Sequence, residues 1–407
     1  MKVLVNAVSI KEGGSLVVLE RLIGAMSRLP PSVAWHLIVD PMHGGLFAGN
    51  DRIVTHSYPW IGRSPARLMY FYEITLPRLA ARIQPDIVFS QTNYLPRRKL
   101  PQPTLLLIQH AGHFTPEFAR LTEMAAGSRM GRLAWRYKTN WVHASARAAS
   151  LVSVQTAAMR DAIAEQTGVP PDRIRLIPPG PGLLDLAAQG REPGKPTHWR
   201  IGYITKYGVQ KNFAVALRAV ARLRAEGVPV KLMLTLGARP DSPESFDALK
   251  PLIDQLGIAD AVENHGELAW DRIRDLYETL DFFVFPSFCE SFGFPTVEAM
   301  SRALPTLVAD TPGNREVAGP GVLAFGADDD GTLARQLRAL MDDPQAYARQ
   351  SARSIEQARR FSWEAAALAT LEAIEELQAE RARHGRRRPV SGSVPEAAPA
   401  KRVNVGP

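Results

Sequence analysis

Glu290 and Glu298 stand with seven residues between them, in a stretch reading Ser287-Phe288-Cys289-Glu290-Ser291-Phe292-Gly293-Phe294-Pro295-Thr296-Val297-Glu298-Ala299-Met300. Two carboxylates at this spacing are too far apart to meet on one helical face, but a loop that turns onto a helix can aim both at one ligand. Sugars and riboses suit such a pair, because one carboxylate can accept from two neighbouring hydroxyls. The apolar run Phe282 to Phe285 just before it reads as a fully buried strand. Pro286 and Ser287 end that strand, and Phe292-Gly293-Phe294 makes a tight apolar turn. Pro295 carries the φ that favours a first helical position, so a helix is expected to begin there with Glu298 in its first turn. In an α/β fold, a loop and helix N-terminus after a strand lie at the carboxyl edge of the sheet, where ligands bind. A blander account makes Glu290 a solvated loop residue and Glu298 a helix-dipole charge. Solvated loops, however, do not usually read Phe-Gly-Phe-Pro.

The segment Pro286 to Met300 resembles the Glu-x7-Glu signature of the family-four retaining glycosyltransferases, P-S-x-x-E-x-F-G-x-P-x-x-E-A-M, and every named position of that pattern is present. The resemblance implies two doubly wound, Rossmann-like α/β domains facing each other across a cleft, the GT-B arrangement. It assigns Glu298 to the donor ribose and Glu290 to the hexose hydroxyls, with the amides of Phe292, Gly293 and Phe294 as further sugar contacts.

A second cluster lies where the chain resumes strand–loop–helix order after residue 200. The strand Ile201 to Ile204 leads into Thr205-Lys206-Tyr207-Gly208-Val209-Gln210-Lys211-Asn212, and a helix is expected near Phe213. Two lysines beside a helix N-terminus suit a diphosphate, since each adds a charge and the dipole adds to both. The family reads G-R-x-x-x-Q/E-K-N/G here. Lys211 matches, and Lys206 replaces the arginine, keeping the charge without the bidentate geometry. Val230 to Leu236, ending in Gly237 with Arg239-Pro240 beyond, resembles another family segment. Gly266 falls on the loop where family members hold the base.

The first half contributes a strand from Val3 to Val8, the turn Lys11-Glu12-Gly13-Gly14-Ser15, and a helix with Leu16, Leu19, Leu22, Ile23 and Met26 on one face. This architecture brings amides to an anion, although it is not the dinucleotide fingerprint. In the family such a loop, here Gly13 and Gly14, approaches the donor phosphate and the acceptor. A buried strand, Leu105 to Ile108, ends at Gln109-His110-Ala111-Gly112-His113. The resemblance favours His110 as a bond to the sugar's hydroxyls, and Ala111 stands where an aspartate is usual. His110 and His113 are too isolated for a metal site, and none is expected. The run Asp328 to Asp330 reads as a helix N-cap.

With 407 residues and 45% hydrophobic composition, the chain can bury a large core in two or three domains. The resemblance and the Pro/Gly-rich stretch after Ile177 set a first, acceptor-side domain at 1–180, a linker at 181–196 and a donor-binding domain at 197–360. A helix at 361–380, entered by Phe361-Ser362-Trp363-Glu364, packs back on the first domain, and a basic tail at 381–407 is expected to be disordered. Its one cysteine, Cys289, excludes an intramolecular disulfide and reads as buried filler.

Charge is uneven. Residues 1–190 hold 21 Lys/Arg and 12 Asp/Glu (+9), 191–380 hold 21 and 28 (−7), and the tail 7 and 1 (+6). An anionic membrane surface is a candidate partner of the basic half; nucleic acid is not indicated. Arg63, Arg67, Arg78 and Arg82 flank Leu68 to Tyr72, a pattern that suits either a membrane interface or a helix packed on the sheet. No secretory signal or spanning run is read, so a cytoplasmic protein, peripheral on the inner membrane face, is expected.

The function implied is a metal-independent, retaining hexosyl transfer from a nucleotide-diphosphate sugar to a glycan or lipid-linked glycan acceptor, in cell-envelope polysaccharide or lipopolysaccharide assembly. The expected catalytic set is Glu290, Lys211, Lys206 and His110, without a cofactor. An epimerase of the same fold would consume donor without acceptor. A catalytically silent nucleotide-sugar-binding subunit would bind it without turnover.

Overall fold

The computed structural model describes residues 1–30, 33–125, 128–182, 184, 186–187, 189–194, 196–237 and 245–386. Seven parallel strands build the first sheet: β1 Lys2–Ala7, β2 Ala34–Val39, β3 Ile53–Ser57, β4 Ile87–Ser90, β5 Thr104–Leu107, β6 Leu151–Val154 and β7 Ile174–Leu176, in the order β3-β2-β1-β4-β5-β6-β7. Six more build the second: β8 Trp199–Tyr203, β9 Val230–Leu234, β10 Val262–Asn264, β11 Phe282–Phe285, β12 Thr306–Ala309 and β13 Leu323–Phe325, in the order β10-β9-β8-β11-β12-β13. Each order reverses beside its first strand, between β1 and β4 and between β8 and β11. A doubly wound sheet binds ligands at that reversal, outside the strands' carboxyl ends. The loops after β1, β8 and β11 carry the glycine turn, the lysines and Glu290, respectively.

The residue types explain the layers. β4, β11 and β12 are buried at every position, as strands covered on both faces by helices must be. On the helix Gly14–Met26, Leu19, Leu22, Ile23 and Met26 are buried at helical spacing, while Leu16 is only partly covered. The helix Trp363–Arg386 returns to the first unit and places Ala367, Leu371, Ile374 and Leu377 in its core. Burying its three larger side chains contributes about 1.5–3 kcal/mol each. This helix runs to Arg386, past the expected start of the tail, and 387–407 lie outside the described residues.

Several expectations are corrected. The helix after the glutamate loop begins at Phe294, one residue before Pro295, and Glu298 is its fifth residue. Phe71 and Tyr72 are fully buried, and the Tyr72 hydroxyl bonds Thr92 Oγ1 at 2.5 Å, so that segment is packed on the sheet with Arg78 and Arg82 on its wet side. The stretch set down as a linker is tied into the second unit. Leu184 joins its core, and Arg191 donates to the carbonyls of Arg302 (2.7 Å) and Leu280 (3.0 Å). Arg239 and Pro240 lie outside the described residues. The helix cap read in Asp328 to Asp330 is present: Asp329 caps the helix Asp330–Asp342, accepting from Thr332 N at 2.8 Å. Ala303, in the turn before β12, holds a left-handed φ of 57°. Among the described residues, no helix is long and apolar enough to cross a membrane.

Candidate active site

Loops from both sheets close over a cavity of about 640 Å³, within the range of small-molecule sites, about 300–1,000 Å³. Glu290, Glu298, Lys206, Lys211, His110, Gly13, Gly14, Phe292, Gly293 and Phe294 all line it. Gly266 does not; its φ of 72° shapes a turn whose next residues, Glu267 and Leu268, do.

An ion pair shielded from water joins two of the expected residues. Lys211 Nζ lies 2.5 Å from Glu290 Oε1, with the two side chains 11% and 15% exposed. Ser287 donates its hydroxyl to the same oxygen at 2.5 Å. The lysine is held from behind as well. Tyr203 donates to its backbone carbonyl at 2.5 Å, Asn212 turns the chain at a φ of 50°, and the ammonium sits 5.3 Å from the Phe285 ring centroid. Phe288 N donates to the Gln210 carbonyl at 3.1 Å, which stitches the lysine loop to the glutamate loop. The charges are therefore fixed before any substrate has to be ordered, which is the preorganisation that electrostatic catalysis requires.

Glu298 lies deeper, 4% exposed, and Tyr277 donates its hydroxyl to Oε2 at 3.2 Å. Burial pushes this carboxyl up to about 7. A side chain is excluded at its back. A Cβ on Gly182 would stand 2.0 Å from Oε1, and the Gly182 carbonyl accepts from Trp363 Nε1 at 3.2 Å. The crossing between the two units is thus fitted to Glu298 and to the returning helix.

From the first unit, Gly13 takes φ 71° and ψ −158°, a conformation open to glycine. Gly14 packs on Phe294, whose Cδ2 would lie 2.9 Å from an added Cβ. Glu12 pairs with Lys206 across the cleft at 2.6 Å. His110 edges onto the cavity. The protein mass around its ring lowers its pKa, against the upward pull of Glu290. Its neighbour His113 is withdrawn: it stacks on Trp135 with ring centroids 4.6 Å apart, bonds Thr139 Oγ1 at 3.0 Å, and is pushed down to about 3 by burial.

Sequence reasoning missed the contacts that bring the units together. Glu316 of the second unit accepts from Ala157 N (2.6 Å) and Ala158 N (3.0 Å), at the N-terminus of the helix Ala157–Thr167. A carboxylate there satisfies orphan amides and the helix dipole. Thr156 donates to the Ser291 carbonyl at 3.1 Å. Phe288 and Cys289 enter the first unit's core, where the thiol lies 3.2 Å from Thr115 Oγ1 and burial pushes it up to about 12. These partners are separated by well over a hundred residues, and no local pattern marks them. Tyr277, 21 residues before Glu298, was also missed, and Ser287 was read as a strand stop without its bond to Glu290, three residues on.

Residues 189–361 match the family model described as glycosyl transferases group 1, and residues 13–181 match that of glycosyltransferase family 4. A D-inositol 3-phosphate glycosyltransferase of Nocardia farcinica is 29% identical over 214 residues, which are 49% of this chain and 47% of that protein. The chain thus spans about half the length of the relatives it matches. The fold is similar to sucrose-phosphate synthase from Thermosynechococcus elongatus, with a TM-score of 0.74 at 17% identity over 93% of this chain and 100% of that one. It is also similar to Anabaena Alr3699/HepE in complex with UDP and glucose, with a TM-score of 0.68 at 18% identity over 92% and 100%.

Proposed function

We propose, from the premise that this chain belongs to the family-4 glycosyltransferases of GT-B fold, that it moves a hexosyl group from a nucleotide diphosphate to an acceptor hydroxyl with retention of configuration. The observation that carries the reading is the cavity at the two reversal points, with Lys211 and Glu290 paired in it and Glu298 buried beside them. Glu298 holds the ribose hydroxyls and Glu290 those of the hexose. Lys211, with Lys206, takes the charge that grows on the leaving diphosphate. Because Lys211 and Glu290 touch, the hexose and the diphosphate bind against one shared pair. Amides of Phe292 to Phe294 and the His110 ring bond the sugar. The bond from the anomeric carbon to the diphosphate oxygen breaks as the bond to the acceptor oxygen forms. A donor phosphate oxygen takes the acceptor's proton, so no side chain serves as general base. A metal ion is not required in this scheme.

The acceptor is proposed to be a glycan or lipid-linked glycan of cell-envelope assembly, met at an anionic membrane surface. On the helix Arg129–Ala148, Met130 (81% exposed), Leu133 (64%) and Tyr137 (41%) form one stripe, with Met124 (68%) nearby. Arg129, Arg136 and Lys138 are exposed around it. An uncovered apolar stripe bordered by cations suits a headgroup layer. The test is a panel of UDP-, GDP- and ADP-sugars without added metal, reading thermal stabilisation and nucleotide release. A donor that stabilises the protein and is slowly consumed supports the transferase. Stabilisation without release, even with lipid-linked acceptors, turns the reading to a binding subunit.

A further inference from the structure

The two walls of the cavity differ in charge. Lys206 and Lys211 come from the second unit and are already engaged with Glu12 and Glu290. Among the described residues that line the first unit's wall there is no Lys or Arg. The polar side chains there are those of Glu12, Glu20, Asn93, Gln109, His110 and Gln155, with Ser15, whose hydroxyl donates to the Glu12 carbonyl at 3.2 Å.

Three of these have bonding capacity left over. Glu20, half-buried on the helix Gly14–Met26, takes no ion pair or hydrogen bond from the described residues. Gln155 is 3% exposed, and its amide oxygen has no partner. A buried, unsatisfied amide facing a cavity is costly unless a ligand completes it. Asn93 is held at a φ of 67°, and its Oδ1 accepts from Gln109 N at 2.6 Å, so its amide NH₂ is left for the cavity. The N-terminus of the helix Gly14–Met26 also opens here, but Phe294 is packed on Gly14.

On the acceptor side that the transferase reading gives to the first unit, we infer that this wall takes a neutral, hydroxyl-rich group and rejects phosphate monoesters. Hydroxyls both donate and accept, so they can satisfy Glu20, Gln155 and Asn93 together. A phosphate only accepts. It would meet the Glu20 and Glu12 carboxylates and the Gln155 oxygen, with no arginine or lysine of that wall to receive it. A lipid-linked acceptor then enters by its terminal sugar, with its phosphates outside the cavity. This separates the chain from the relatives named D-inositol 3-phosphate glycosyltransferases. The inference rests on the transferase reading.

The test measures D-inositol 3-phosphate and myo-inositol binding by calorimetry to the full chain saturated with UDP, in wild type, Glu20→Gln and Glu20→Lys. The phosphate is expected to bind wild type and Glu20→Gln no better than the neutral polyol, and Glu20→Lys about tenfold more tightly than wild type. Tighter binding of the phosphate by wild type, or no gain in Glu20→Lys, overturns the inference while the transferase reading stands. If neither UDP nor another nucleoside diphosphate binds wild type, the transferase reading falls and this inference with it.

Discussion

Lys211 Nζ rests 2.5 Å from Glu290 Oε1, on an oxygen that also receives the Ser287 hydroxyl. Each charge is largely shielded from water, so removing one partner strands the other. Lys211→Met and Glu290→Gln are each expected to lower stability by about 1–3 kcal/mol, and the double variant by less than the sum of the two. Denaturant melts of the four proteins give the coupling; strict additivity would mean that the pair contributes nothing as a pair. In catalysis, the loss of Lys211 is expected to lower kcat by about 10²–10³, as for other preorganised charges at a leaving group.

Glu298 yields a pH prediction. Its folded pKa is raised from 4.5 to about 7. Below pH 4.5 both states are protonated and the residue costs nothing. Between pH 4.5 and 7 the unfolded chain ionises first, so stability falls as pH rises, and above 7 the cost levels off at about 3 kcal/mol. Glu298→Gln is therefore expected to match wild type at pH 4.5 and to melt higher at pH 8, while losing donor binding. Equal melting at pH 8 would contradict the assigned burial of a charge there.

Glu316 holds the two units together through the amides of Ala157 and Ala158. Glu316→Ala removes an acceptor at a helix N-terminus, an effect of about 0.5–2 kcal/mol. It is expected to widen the cleft, seen as a larger radius of gyration by small-angle scattering, and to raise the donor KM. Glu316→Gln, which keeps an acceptor oxygen without the charge, should fall between the two. An unchanged scattering profile in Glu316→Ala would remove this contact from the account of closure.

The stripe on the helix Arg129–Ala148 is tested with vesicles. Wild type is expected to co-sediment with phosphatidylglycerol vesicles and not with phosphatidylcholine alone. Met130→Asp combined with Leu133→Asp should abolish this without lowering the melting temperature, because both side chains are exposed. Retained binding in the double variant would place the membrane contact elsewhere.

Most of the fold was legible because buried parallel strands announce themselves. Phe282 to Phe285 has in the structure the limits that its apolar run suggests, and Leu105 to Ile108 is offset by one residue, to Thr104–Leu107. β13, Leu323–Phe325, was not legible: it is three residues long and only one of them is buried. The helix Arg129–Ala148 escaped because its apolar residues face outward as well as inward, which blurs the period. At the site, the residues named from the Glu-x7-Glu segment and the lysine loop gather at one cavity, since each sits in a loop fixed by its own strand. What could not be read were relations between loops. The contact of Glu290 with Lys211 depends on two loops brought side by side by the pairing of β8 with β11, the shelter of Glu298 by Gly182 on the path of the crossing chain, and the clasp of Glu316 on how two separately wound sheets meet.

The central claim is that one cavity binds a nucleotide-diphosphate sugar through Glu298 and Lys211. The most direct measurement is the thermal shift of wild type, Glu298→Ala and Lys211→Ala against UDP-, GDP- and ADP-sugars, with nucleotide release followed in the same samples. The account predicts one donor that stabilises and is slowly consumed by wild type, with both responses lost in each variant. No stabilisation of wild type by any donor, or equal stabilisation of the variants, would contradict it.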